Sequence, residues 1–276
     1  MKYKIVADSS CDFCPTKAVD FTSVPLTIRT DEKEFVDNAD LQVADIVAYL
    51  QNYKGKSSSA CPGVGEYLDA FGDADRVIVV TITSGLSGSY NAAVQAANTY
   101  MEEHPDKKVF VLDSLSAGPE PFLMVEKAEE LMAEGMEFEE ICTALKDYKE
   151  KTRLTFSLES VTNFARNGRV SPVVAKMVGL LGIRLVGKAS DEGTLEPLHK
   201  CRGEKKALEK IVEVMTELGY KGGKVRIAHC FNEVAAKLLK SDLIQKFKDA
   251  DIRIHTCGGL CSFYAEQGGL LVGFES

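Results

Sequence analysis

A chain of 276 residues is long enough for two cores or one large α/β domain, and 45% apolar with 27% charged residues is the balance of a globular protein, not a disordered one. Acidic residues outnumber basic ones, 41 to 33, for a formal charge of −8, which disfavours nucleic acid and anionic membrane surfaces as partners. The most apolar stretch, Val173 to Val186, is broken by Lys176 and Arg184, and Met1 to Asp8 holds no apolar run of secretory length, so the expectations are no transmembrane segment and a cytoplasmic location.

The first half alternates in the α/β manner. Lys4 to Asp8 reads as a short apolar strand, Val24 to Ile28 as a second, and Asp31 to Glu34 as its turn. Leu41 to Tyr53 carries apolar residues at helical spacing, and Gly65 to Phe71 begins another helix. Arg76 to Ile82 is apolar almost throughout, as a strand covered on both faces would be. A glycine-bearing turn and the alanine-rich helix Asn91 to Glu103 follow. Lys108 to Leu112 is the next buried strand, Asp113 to Gly118 its loop, and Phe122 to Glu134 its helix, with a further helix over Glu137 to Thr152.

After Thr152 the pattern loosens. Strands are expected at Leu154 to Leu158, Arg184 to Gly187, Leu195 to Leu198, Lys224 to Ala228, Ile252 to His255 and Leu270 to Phe274. Helices are expected at Lys205 to Leu218 and Glu233 to Asp249, and a turn at Asp191 to Gly193. The fold class is therefore α/β, with two domains: residues 1–153, built on a parallel sheet, and residues 154–276, with a cleft between them.

Four segments carry possible chemistry. Thr83-Ser-Gly-Leu-Ser-Gly-Ser89 leaves a buried strand and enters a helix, so it sits at the carboxyl end of a sheet, where α/β folds bind ligands. Its hydroxyls and free N–H groups suit an anion, and Gly85 and Gly88 would let the backbone approach the ligand. A plain serine-capped helix start fits the segment equally well. Ser57 to Gly63 is a hydroxyl-rich loop before a helix, while Ala165 to Val170 and Lys200 to Ala207 are basic loops. Gly85-Leu-Ser-Gly-Ser89 narrowly misses the nucleophile elbow of serine hydrolases, which leaves an acyl-ester hydrolase using Ser87 as the alternative function. Neither the dinucleotide fingerprint nor a phosphate-binding P-loop is present, and no cofactor is expected. Cys11-x-x-Cys14 and Cys257-x-x-x-Cys261 admit a zinc or redox site as a third possibility, against ordinary buried thiols.

In this order, the segments resemble the DegV family. Asp8-Ser-Ser10 is similar to its opening Asp-Ser signature, and Val24-Pro-Leu26 with Asp37 to the next block. Ser59-Ala-Cys-Pro62 falls where the family has Thr-Ser-Gln-Pro, and Ser84 to Tyr90 is close to its Ser-x-Leu-Ser-Gly-Thr-Tyr. Asp113 to Gly118, Asn167 to Val170 and Lys200 to Ala207 resemble the later Asp-Ser, Gly-Gly-Arg-Ile and basic blocks. The resemblance implies a bacterial cytosolic fatty-acid carrier. Its acyl chain would lie in a tunnel between the two α/β domains, with the C-terminal one covering the chain. Hydroxyls would hold the carboxylate, and in some members a separate fatty acid kinase makes the acyl phosphate. The residues it maps to the ligand are Ser59, Ser87, Gly88, Ser116, Arg169 and Arg202, with Asp8 in a matching motif. At the end of the chain Tyr264 takes the place of a family histidine, and Glu266 and Gln267 replace a glycine and a proline. Tyrosine can donate a hydrogen bond to a carboxylate but carries no positive charge at neutral pH. Val173 to Ile183 is apolar enough to line the tunnel or to be an ordinary core helix.

Overall fold

The structure, a computed structural model, describes residues 1–12, 20–175 and 182–276. Strand β1 (Tyr3–Asp8) ends in a 3₁₀ turn (Ser9–Cys11), and β2 (Asp20–Val24), β3 (Thr27–Thr30) and β4 (Glu34–Val36) precede helix α1 (Val43–Asn52). Next come β5 (Ser57–Ala60), α2 (Val64–Phe71), β6 (Arg76–Thr81), α3 (Ser89–Glu103), β7 (Lys108–Asp113), α4 (Pro119–Ala133) and α5 (Phe138–Lys149). The chain continues through β8 (Thr152–Leu158), the short α6 (Thr162–Arg166) and α7 (Pro172–Ala175), and the hairpin of β9 (Ile183–Ala189) and β10 (Leu195–Arg202). It finishes with α8 (Glu204–Glu217), β11 (Gly223–His229), α9 (Glu233–Lys246), β12 (Ala250–Thr256), α10 (Gly259–Ala265) and β13 (Leu270–Glu275). No helix among the described residues is long and apolar enough to cross a membrane.

The α/β class expected from the sequence is the one observed. The first sheet is all parallel, in the order β2-β1-β6-β7. Its central strand is apolar on both faces because both are covered. Val77 and Val79 point into a cluster with α2 and α3, while Ile78 and Val80 point into another with α4 and α5. Helix α3 lays Ala93, Ala96 and Ala97 on that sheet, small side chains that let helix and sheet approach closely.

The second sheet is mixed, in the order β10-β9-β8-β13-β11-β12, with only β11 and β12 parallel. Helices α8 and α9 bury one face of it. Helix α4 meets the other face and also the first sheet, so it is buried on most sides. Glu126 on α4 pins the arrangement: it receives Arg226 Nε at 2.7 Å and Arg253 Nη1 at 2.8 Å from β11 and β12. A small antiparallel sheet, β4-β3-β5, stands beside the first.

Three of the differences from the sequence reading shape the site. The single strand expected at Val24 to Ile28 is split, because Pro25 has no N–H to continue a ladder. Leu26 then turns away, its N–H donating to Ser9 Oγ at 3.0 Å, and the chain passes from the parallel sheet to the small one. The serines expected as a loop form β5, paired residue by residue with β3. Helix α10 was not expected: Gly258-Gly259 is a poor local start. Its first N–H groups are capped from far away, Gly259 and Leu260 by the Asp37 carboxylate at 2.7 and 2.9 Å, and Gly258 by Asp12 Oδ1 at 2.7 Å.

Candidate functional site

The loops after the carboxyl ends of β6 and β7, strand β5, the α10 helix and the middle of the second sheet enclose a cavity of about 300 Å³. One wall is apolar. Leu154, Phe156 and Leu158 alternate along β8 to face the cavity, joined by Leu271 from β13 and Leu260 from α10. The polar lining side chains, Ser59, Thr83, Ser87, Ser116, Arg169, Thr194 and Tyr264, come from other elements.

Ser59 on β5 shares a 2.7 Å hydrogen bond with Tyr264 Oη near the end of α10. The Tyr264 ring is held between Phe164, at 4.7 Å between ring centres, and Phe263, at 4.9 Å. Burial pushes the pKa of its phenol above the ordinary tyrosine value, so Tyr264 is a neutral O–H donor. Arg169, half-buried, is oriented by two carbonyls: Nε donates to Leu86 O at 3.3 Å and Nη1 to Asn167 O. A guanidinium has five donors, so these bonds fix its plane and leave others for a ligand.

Ser87 lies just ahead of α3, beside the exposed N-cap residue Gly88. Its Oγ accepts the Ser89 N–H at 3.3 Å, so the hydroxyl proton is free to be donated elsewhere. The turn carrying Ser87 is built on Asp8, which is fully buried and does not reach the cavity. Asp8 Oδ2 accepts Ile82 N at 2.9 Å and Ser89 Oγ at 2.6 Å, and Ser89 Oγ in turn meets Tyr67 Oη at 2.7 Å. Burial pushes the Asp8 carboxyl above its ordinary range, against the pull of these hydrogen bonds. Ser116 is part of the wall, its carbonyl accepting Thr83 N at 2.9 Å. Its hydroxyl lies beside the buried Glu120 carboxyl without closing a well-aligned bond, and burial raises Glu120 to about 7.

The cavity thus brings together Ser59, Ser87, Gly88, Ser116, Arg169 and Tyr264 from the sequence reading, and leaves out Arg202. Arg202 is the exposed last residue of the edge strand β10, paired with Ile183, so the segment expected as a basic loop over Lys200 to Ala207 is instead the end of β10, Gly203 and the first turn of α8. Arg202 stands seven residues beyond the cavity-lining Leu195, about 23 Å of extended chain. A second correction concerns Gly85. A Cβ there would come within 2.6 Å of Glu192 O, so the glycine makes room for the β9–β10 hairpin and not for a ligand. At Gly88 the neighbour a Cβ would meet is Cys61 Sγ, at 3.2 Å.

The sequence reading missed Phe156, Leu158, Phe164 and Leu271 as cavity residues; only the two-residue alternation of β8 signalled any of them. Residues 176–181 of the apolar Val173 to Ile183 segment, and Cys14, lie outside the described residues. Val173 is 66% exposed. None of the four histidines lines the cavity: His104 packs on Tyr100, His229 Nδ1 accepts Asn232 N, His255 sits by Phe122 and Asp12, and His199 lies on β10. Cys11, Cys257 and Cys261 are buried, and burial pushes the last two thiols well above their ordinary range, away from the thiolate a metal needs. Among the described residues no cluster of three or more His, Cys, Asp or Glu could hold a metal ion.

Comparison with known proteins places this architecture. A DegV domain-containing protein of Streptococcus pneumoniae is 47% identical over 279 residues, covering 100% of this chain and 99% of its own. A DegV family protein from Eubacterium eligens, crystallised loaded with heptadecanoic acid, superposes with a TM-score of 0.97 at 46% identity over 99% of both chains. The Streptococcus pneumoniae Fatty Acid Kinase (Fak) B3 protein, loaded with linoleic acid, also gives 0.97 at 46% identity, over 100% of this chain and 99% of its own. The model describing uncharacterised proteins of the DegV family matches residues 2–276, and the chain belongs to that family.

Proposed function

We propose that this protein binds a long-chain fatty acid in the cavity and presents it to a fatty acid kinase. The observation that carries the reading is the division of the cavity lining into an apolar wall from β8 and β13 and polar side chains from other elements. Ser59, Ser87, Arg169 and Tyr264 supply neutral O–H donors and one cation for a carboxylate, while β8 and β13 supply only hydrocarbon. Arg169 provides the positive charge that Tyr264 cannot, and Gly88 and Ser116 complete the wall. At about 0.8 kcal/mol per methylene, some 15 buried methylenes supply on the order of 12 kcal/mol of gross driving force. The head group therefore needs orientation more than energy. The fatty acids held by the two similar crystallised proteins support the same occupant.

The protein acts in this reading as a carrier with no chemistry of its own, in the cytoplasm. Ser87 has no histidine at the cavity to serve as its base, and the chain has no P-loop for ATP, so the phosphoryl transfer falls to the partner. The chain divides for this purpose into residues 1–153, which bring Ser59, Ser87 and Ser116, and residues 154–276, which bring the apolar wall, Arg169 and Tyr264. Denaturing mass spectrometry of solvent extracts should show a fatty acid carried through purification. Clean extracts, together with no retention of added C14–C18 acids, would remove the reading. Acyl phosphate formed only when protein, kinase and ATP are combined would establish the partner, and its absence would leave a carrier alone.

A further inference from the structure

Phe156 stands where the cavity wall meets the protein core. It is 3% exposed, it lines the cavity, and Leu158, Leu185 and Ala228 pack in the same apolar cluster. Its cross-strand partners are Gly187 on β9 and Leu271 on β13. Gly187 accounts for how the ring lies, because a Cβ at that position would come within 2.5 Å of Phe156 Cζ. The ring therefore rests on bare backbone, and an aromatic laid over a cross-strand glycine both covers it and is held by it. One row along the same strands the space is already taken: Gly273, opposite Leu154, abuts the Pro119 backbone at the start of α4, 2.6 Å from where a Cβ would be. Phe156 is the largest of the side chains that β8 and β13 lay on the cavity, the others being Leu154, Leu158 and Leu271. The polar lining residues all come from other elements, so this wall is the one that meets hydrocarbon.

We propose that Phe156, seated on Gly187, sets the length of acyl chain the cavity accepts; the proposal rests on the fatty-acid reading above. Each methylene buried is worth about fourfold in affinity, so a stop moved by even one or two carbons shifts the preferred acid measurably. Phe156→Leu deepens the cavity and moves the optimum to longer chains, while Phe156→Trp fills it and moves the optimum to shorter ones.

The experiment offers delipidated protein an equimolar mixture of saturated C12 to C20 acids and quantifies those retained by denaturing mass spectrometry. For the acid two carbons longer than the wild-type optimum, the retained amount relative to that optimum should rise roughly tenfold in Phe156→Leu. It should fall in Phe156→Trp. General destabilisation lowers all acids alike and cannot produce opposite shifts; thermal unfolding confirms that each variant is folded. If a change of size prevents folding, Phe156→Met keeps the bulk but is flexible, and its profile must broaden. Profiles matching wild type within twofold in the folded variants overturn the proposal. Wild-type protein that retains none of the acids overturns the fatty-acid reading instead.

Discussion

Replacing Ser87 by alanine separates the two roles of that hydroxyl. As an acceptor it takes the Ser89 N–H at 3.3 Å at the start of α3, and as a donor it faces the cavity. Loss of the acceptor removes a helix-start bond at a half-buried position, costing about 0.5–2 kcal/mol of stability. Loss of the donor removes a hydrogen bond to an ionised carboxylate, about 1.5–3 kcal/mol, which is roughly ten- to a hundredfold in affinity. The apolar wall is untouched, so the acyl chain still drives burial. Titrating wild type and Ser87→Ala with a free acid and with its methyl ester isolates the head-group contribution. The acid should weaken by that factor, whereas the uncharged ester should differ little between the two proteins. A variant that holds the free acid as tightly as wild type would show that the carboxylate lies elsewhere in the cavity.

Tyr264→Phe keeps the ring against Phe164 and Phe263 and deletes only the oxygen bonded to Ser59; affinity for the acid should fall about tenfold with the melting temperature nearly kept, and equal calorimetric affinities would contradict the assignment. Arg202→Ala should leave fatty-acid affinity unchanged within twofold, since the side chain is exposed and outside the cavity; a tenfold loss would return Arg202 to the ligand site. Burial raises Glu120 from 4.5 to about 7 and Asp37 from 3.8 to about 6, so the stability their protons confer is complete below about pH 4 and is lost as pH rises through 6 to 7. Glu120 alone accounts for about 3 kcal/mol at 1.36 kcal/mol per unit. Urea midpoints should therefore fall between pH 5 and pH 8 in wild type and fall less in Glu120→Gln, which still accepts from Thr152 Oγ1; parallel curves would refute the assignment.

How much could be read in the sequence follows the range of the forces that form each element. β6 was legible because its apolar run needs only covering helices, and α3 because its alanine face lies within its own turns. Of the polar cavity groups, Ser59, Ser87 and Arg169 sit in blocks whose order along the chain carries the family resemblance. The rest depended on distant partners. Leu26 leaves its strand for Ser9, β5 exists because β3 offers an edge, and α10 is started by side chains more than 220 residues earlier. Local propensity contains none of that. Arg202 was misplaced for the complementary reason: a motif match marks a position in the chain, and an edge strand then carried it away from the cavity.

Three buried aspartates illustrate how the site is supported from outside its lining. Asp8, Asp12 and Asp37 are all buried, and each spends its carboxylate on backbone N–H groups. Asp8 holds Ile82 and the Ser89 hydroxyl, and so fixes the turn that presents Ser87. Asp37 and Asp12 hold the first N–H groups of α10, whose later turn presents Tyr264 and whose inner face lines the cavity. A carboxylate at a helix start gains from the aligned N–H dipoles as well as from the bonds, which offsets the burial that raises Asp8 and Asp37. None of the three lines the cavity. The hydroxyls are therefore the groups that face the cavity, and the aspartates, distant from them in the sequence, hold the starts of α3 and α10 in place around it.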